Sequence, residues 1–547
     1  MSKKRPLLAR TDHAEGTMGQ VTSYFKRAVA LASALTVVMA LGATPVIGQD
    51  SRLGQFDGHG DIGSPQIAGS AVYNAVSQEY SLSASGLNMW ATRDEFQFAW
   101  KKMKGDFILQ ARVELLGQGV DPHRKLGFIV RTSLDPDSPY ADAAVHGEGL
   151  TSLQFRRTQG AITEQVQSTV KGPDFVQLER KGNTYTMSVA RFGEPLVTSQ
   201  VADLSLGDDV FVGLFLCAHN PAVVERAVFR DVRIIRPAKD GFVPYRDYIG
   251  SVLEVLDVAT GHRQVLQTSA QPFEAPNWTR DGGALIYNTS GRDAAWRGRL
   301  YRYDLATRQA ALIDTGTSNR NNNDHVLSFD GSMIGISDQS TNDGKSTVFT
   351  LPAAGGTPKR ISPLGLGPSY FHSWSPDGKS LVYTGGRSDG ARSAASGSAL
   401  EFDVYKIAAD GSGTETNLTS SKGLDDGPEY TPDGKAIYFN STRSGSMQLW
   451  RMKPDGKDQE QVTNDEYNNW FPHISPDGQW IAFVSFGKDV DPADHPYYKR
   501  VYLRLMPIAG GPAKVIAYVY GGQGTMNVPS WSPDGRMLAF VSNTDLD

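Results

Sequence analysis

The sequence predicts an all-β protein: an N-terminal β-sandwich followed by a six-bladed β-propeller closed by strands from its N- and C-terminal ends. Three observations carry this reading. Short apolar runs bounded by Gly, Asp, Asn and Pro recur throughout, with no sustained helical period after residue 50. A self-similar unit appears six times in the second half of the chain. That repeating half opens and ends on incomplete units of opposite kind.

A chain of 547 residues is too long for one core and fits two domains. Hydrophobic residues at 39%, charged residues at 21%, 57 Gly and 29 Pro describe a turn-rich globular protein, neither disordered nor fibrous. The formal net charge of -5 offers no basic footprint, which excludes nucleic acid as a partner.

Lys26 and Arg27 precede an apolar run over 28–41, and Gly42, Ala43 and Gly48 follow it. This is the layout of a signal peptide over 1–48, cleaved at about 43–49. The run is shorter than the roughly 20 residues that cross a bilayer. The mature chain is therefore expected to be periplasmic or secreted and not an integral membrane protein, with translation starting at Met1 or Met18. The single cysteine, Cys217, excludes an intramolecular disulfide and reads as core within the apolar run 211–217.

Residues 50–237 carry longer strand signals, at 96–100, 107–115, 126–131, 153–157, 175–180, 184–189 and 210–217. Antiparallel strands without a repeat predict a sandwich. On it, Trp90, Trp100, Arg131, His146, Gln154 and Arg156 mix aromatic faces with hydrogen-bond donors, as sugar sites do. The alternative places the tryptophans in the core and the arginines on a solvated or ion-paired face.

The texture changes at 235–244, and the propeller is expected over 245–547. Its units are PNWTRDGGALIY from Pro276, HVLSFDGSMIGI from His325, HSWSPDGKSLVY from His372, PEYTPDGKAIYF from Pro428, PHISPDGQWIAF from Pro472 and PSWSPDGRMLAF from Pro529. Their aspartates, Asp281, Asp330, Asp377, Asp433, Asp477 and Asp534, are 49, 47, 56, 44 and 57 residues apart, a spacing that suits four-stranded blades with insertions in the longer units. Each Ser-Pro-Asp-Gly reads as a tight turn joining two apolar strands, with Asp in a turn role. A second kind of strand pair separates these hairpins. The region opens with such a pair at 252–266 and ends with a hairpin at 529–542, so the two ends together complete the sixth blade.

The SPDG hairpins, with QLWRMKPDG from Gln448 and LDVATGHRQVL from Leu256, resemble the TolB family of WD40-like (PD40) propellers over about 245–547. Copies one and two depart from the pattern in lacking the turn proline. GLNMWATRDEFQFAWKKMKGDF from Gly86, LGFIVRTSL from Leu126 and VFRDVRI from Val228 resemble concanavalin-like jelly-roll domains that accompany carbohydrate-active modules. The first resemblance implies an exported protein- or carbohydrate-binding module with a protein or glycan ligand. Propellers of this repeat also form oligogalacturonate lyases, which leaves a metal-assisted polysaccharide-degrading enzyme as the alternative.

No HExxH motif and no phosphate-cradling Gly-rich loop is present. The residues just before each hairpin are expected at one mouth of the central channel: Glu274, Asp324 with His325, His372, Asp425 with Asp426, Asn468 with Asn469 and Trp470, His473, and Asn527. Imidazole beside carboxylate serves either as an acid/base pair or as a divalent-metal environment. The binding reading needs no cofactor. In the lyase alternative His325, His372 and His473 hold Ca or Mn or act as bases, and Arg292, Arg387 or Arg443 grips a uronate carboxylate.

Overall fold

The computed structural model describes residues 53–243, 245–388 and 400–546. The apolar run at 28–41 and its cleavage region lie outside the described residues. Every regular element among the described residues is a β-strand, and no helix is long and apolar enough to cross a membrane.

Fourteen strands, from Gly58–Ile62 to Glu225–Ile235, form two seven-stranded antiparallel sheets. Strand alternation decides what each sheet buries. In Phe96–Met103, Ala99 and Met103 enter the core shared with the facing sheet, where they join Phe128 and Leu214 against Leu109, Leu178 and Met187. Phe96, Phe98 and Trp100 point the other way, into a second cluster with Ile129, Tyr140 and Phe215. Cys217 belongs to that cluster and is fully buried, which pushes its thiol up to about 11, so it is an inert core residue.

The remaining strands form six blades. Five are four-stranded and run outward in chain order. The first, for example, is Phe273–Trp278, Ala284–Thr289, Leu300–Asp304 and Gln309–Ile313. The sixth joins the two ends of the propeller: Gly250–Asp257 lies between Arg263–Ser269 and Met537–Thr544, in register from Gly250 opposite Thr544 to Asp257 opposite Met537. The innermost segment of this blade contributes only the bridge from Trp531 to Leu538. Closure by both ends is thus present.

The repeated turn has one geometry in all six copies. Gly282, Gly331, Gly378, Gly434, Gly478 and Gly535 all have φ between 69° and 74°, a conformation that costs any residue with a Cβ. The preceding aspartate accepts from the hydroxyl two residues before it and from the backbone N–H two residues after it, as Asp377 does from Ser375 (2.6 Å) and Lys379 (3.1 Å). Copies one and two keep this arrangement without the proline, through Thr279 with Asp281 and Ser328 with Asp330.

Sandwich and propeller lie within one compact unit and share a polar and aromatic seam. A bulge in Glu225–Ile235, with Asp231 at φ 55°, turns the Asp231 carboxylate toward the propeller. There it accepts from the backbone N–H of Arg263 (2.7 Å) and pairs with His262 (3.0 Å). Gln78 exchanges two 2.9 Å bonds with the backbone of Val265, and Phe175 stacks on Tyr518 at 3.9 Å.

Candidate functional site

The innermost strand of each four-stranded blade is broken by a register shift, and that bulge decides which side chains reach the channel. Residues before or within the bulge open onto a cavity of about 720 Å³ at one mouth. Glu274, Asp324, His372, Asp426 and Asn527 line it. These five were expected from the repeat phase.

The floor is acidic around one imidazole. His372 Nε2 lies 3.1 Å from Asp426 Oδ1, which also accepts from Thr384 Oγ1 at 2.7 Å and the Gly427 N–H at 2.8 Å. Burial pulls the His372 pKa down, but the carboxylates of Asp426 and Asp324 outweigh it and raise the value. Burial likewise opposes ionisation of Asp426, yet His372 wins and the carboxyl is held below its ordinary range. Asp324 has no such partner. Burial, with the charges of Asp426 and Glu274 adding to it against His372, pushes it up to about 6. Glu274 is raised by burial although Tyr497 Oη donates to it at 3.1 Å and Asn323 Nδ2 at 3.2 Å.

The walls are aromatic and amide-rich, from Tyr245, Tyr248, Tyr370 and Phe471 to Asn288, Asn321 and Gln339. Arg297 and Arg320 stand exposed on the lining. His495 projects from the loop after Trp480–Phe486, against Trp470 (4.4 Å between rings, nearly perpendicular) and Phe471 (5.3 Å). Its Nδ1 is buried without a hydrogen-bond partner, and burial lowers its pKa.

The other expected mouth residues point elsewhere. His325 and His372 occupy the same repeat position, but only His372 is the extra residue of its bulge; His325 pairs with Ile336 in the ladder and directs Nε2 to the Ile286 carbonyl at 3.2 Å. His473 stands one residue later in its repeat and so faces the neighbouring blade, where it contacts Glu429 Oε2 at 2.7 Å and the Met526 carbonyl at 3.1 Å. The three histidines therefore do not form a metal set. Asp425 is engaged by Arg443 (2.8 Å), Asn469 by Gln448, Thr463 and Asp465, and Trp470 is fully buried behind the wall.

The expected arginines are also structural. Arg387 forks onto Glu415 at 2.7 and 2.8 Å, Arg443 binds Asp425 and Gln459, and Arg292 pairs with Asp247 outside the cavity. On the sandwich, Arg131 and Arg156 have no exposure. Both donate to Asp94, Arg131 through Nη1 at 2.8 Å and Arg156 through Nη1 and Nη2 at 2.8 and 2.7 Å, and their other hydrogen bonds go to backbone carbonyls. Neither is free to hold a sugar, because both are buried with their donors taken by Asp94 and backbone carbonyls. Trp100 packs over Gly58 and Gly60, whose added Cβ atoms would meet its ring at 3.2 and 3.4 Å. Trp90 is half-buried, and His146 is buried beside His123, their rings 5.9 Å apart.

His495, Tyr497, Tyr245 and Tyr248 escaped the repeat argument because they lie outside the repeated unit. The signal for the first two was present in the 57-residue spacing from Asp477 to Asp534, whose excess includes the loop that lines the mouth.

These features define a class: a repeat-built six-bladed propeller with a polar, aromatic-walled mouth. Residues 389–545 match the family described as PD40, TolB beta propeller domain. The uncharacterized protein Atu1656 of Agrobacterium fabrum is 44% identical over 292 residues, 53% of this chain and 92% of that relative. The chain belongs to the TolB-like β-propeller family. A solved structure of a TolB candidate from Agrobacterium tumefaciens is 42% identical, with 55% of this chain and 100% of that chain covered and a TM-score of 0.49. The Tol-Pal system protein TolB of Bordetella pertussis is 40% identical over 55 residues, only 10% of this chain and 13% of that relative.

Proposed function

We propose that this is an exported binding protein, periplasmic or secreted, whose propeller mouth takes a protein segment presenting a basic group. One observation carries the reading: Glu274, Asp324 and Asp426 gather in the cavity with no Lys or Arg paired to them among the described residues, while Arg297 and Arg320 stand on its lining. A cationic side chain or amino terminus on the partner satisfies the floor. Its carboxylate or carbonyl groups meet the arginines and amides, and its apolar parts lie on the tyrosines.

The test is a peptide array probed at several pH values, with lysine-bearing sequences set against their acetylated counterparts. Lysine peptides are expected to bind, and Asp426→Asn to weaken them about tenfold or more. Because the ligand's charge favours ionised Asp324, affinity is expected to fall as the pH drops through about 6. Asp324→Asn should flatten that dependence. Equal binding of acetylated peptides removes the reading. Cleavage of an acidic glycan to an unsaturated, ultraviolet-absorbing product replaces it with the lyase. Export has its own check: amino-terminal sequencing of protein from periplasm or medium should begin at about residue 44–50.

A further inference from the structure

A second cluster of titratable side chains lies on the sandwich. One ligand atom from each of His123, His146 and Glu148 lies within 4.8 Å of the others, a grouping found nowhere else among the described residues. The fold dictates the meeting. Lys125–Arg131 pairs antiparallel with Tyr140–His146, Lys125 opposite His146, so the residues before the first strand and after the second emerge at the same sheet end. Backbone bonds from Gly147 to the Arg124 carbonyl (2.8 Å) and from Glu148 to the Pro122 carbonyl (3.0 Å) lock the two loops together. Lys125 itself sends its ammonium toward Asn88 Oδ1, 3.3 Å away.

His123 Nδ1 lies 3.1 Å from Glu148 Oε1. Two ligands about 2.0 Å from one tetrahedral ion stand roughly 3.3 Å apart, so this pair has nearly the required spacing. His146 is 5% exposed, and its Nδ1 has no hydrogen-bond partner. Its Nε2 is 3.3 Å from the Gln154 amide end, which is 3.1 Å from Ser152 Oγ. As placed, the amide nitrogen donates to Ser152 Oγ, and Gln154 Oε1 is buried without a partner. Nδ1 is thus the ring nitrogen left without a protein partner, and a ligand on it calls for the Nε2–H tautomer, with the Gln154 amide turned to present its oxygen. Beside the cluster, the His219 ring stands 5.3 Å from that of His123, and its Nδ1 is 3.2 Å from Asp121 Oδ1.

We propose that His123, His146 and Glu148 bind a divalent transition metal of the zinc class, with the fourth coordination position open to solvent. Two imidazoles and one carboxylate suit zinc rather than calcium or magnesium, which take oxygen ligands. The site is independent of the propeller mouth.

Tag-free, metal-stripped full-length protein is titrated with Zn(II) by calorimetry and with Co(II) by visible absorption. A single ion per chain is expected, with tetrahedral cobalt bands. His123→Ala and Glu148→Gln should each weaken zinc about tenfold or more and abolish the cobalt bands. Both side chains are nearly half-exposed, at 48% and 40%, so metal-free melting should not move. His372→Ala should leave zinc affinity unchanged. Undiminished zinc affinity in His123→Ala and Glu148→Gln, absence of binding in the parent, or loss in His372→Ala instead would each overturn the assignment.

Discussion

Deleting residues 533–547 is expected to make the protein aggregate, because it removes the strand that closes the propeller. Met537–Thr544 pairs along its whole length with Gly250–Asp257 and buries Leu538, Ala539, Phe540 and Val541 almost completely. Without it, a strand whose first seven residues are buried becomes an unpaired apolar edge, the arrangement that recruits other chains. The milder Phe540→Ala keeps the backbone ladder and empties a fully buried ring site, at a cost of about 3 to 5 kcal/mol. Size-exclusion chromatography with differential scanning fluorimetry reads both variants. A truncated chain that elutes like the parent and melts with it would refute closure as the source of stability.

The propeller was legible because its information is local. A glycine at φ near 70° and an aspartate bonded two residues to either side need only a five-residue window, so the six turns could be read from their letters. The order of strand pairs then required closure. The sandwich followed from alternation, as at Phe96–Met103, where the two faces carry different side chains into different clusters. Side-chain direction at the mouth was less legible, because a bulge of one residue or three turns equivalent positions to opposite sides. His372 and His325 share a repeat position yet separate, and His473 differs from both by a single residue. Partners distant in sequence were hidden altogether. Nothing near Arg131 or Arg156 points to Asp94, and nothing near Arg387 points to Glu415, so residues resembling ligand-gripping arginines prove to be structural. The cluster at His123 and Glu148 was missed for the same reason: it depends on a strand pairing that only the fold supplies.

Substituting Glu254 is expected to destabilise the whole protein more than any change at the mouth. Its carboxylate is fully buried where the sandwich meets the closing blade, and Arg233 from the sandwich and Arg263 from the blade both grip it, at 2.6 and 2.7 Å. Ser542, on the closing strand, donates to the same group. Glu254→Ala leaves two buried guanidinium groups without their shared counter-charge, and removing one member of such a set costs about 3 to 5 kcal/mol. Burial alone would raise the Glu254 pKa, but the two arginines lower it from 4.5 to about 2. A depressed carboxyl contributes stability that is fully present above its unfolded value and is lost as the pH falls through the folded one. Urea denaturation should therefore show the parent losing this increment between about pH 4.5 and pH 2, while Glu254→Gln, which cannot titrate, starts less stable and loses correspondingly less over that interval. Parallel stability curves for parent and Glu254→Gln across that range would show that the bridge contributes nothing through its charge, and equal midpoints at neutral pH would show that it does not hold the two domains together.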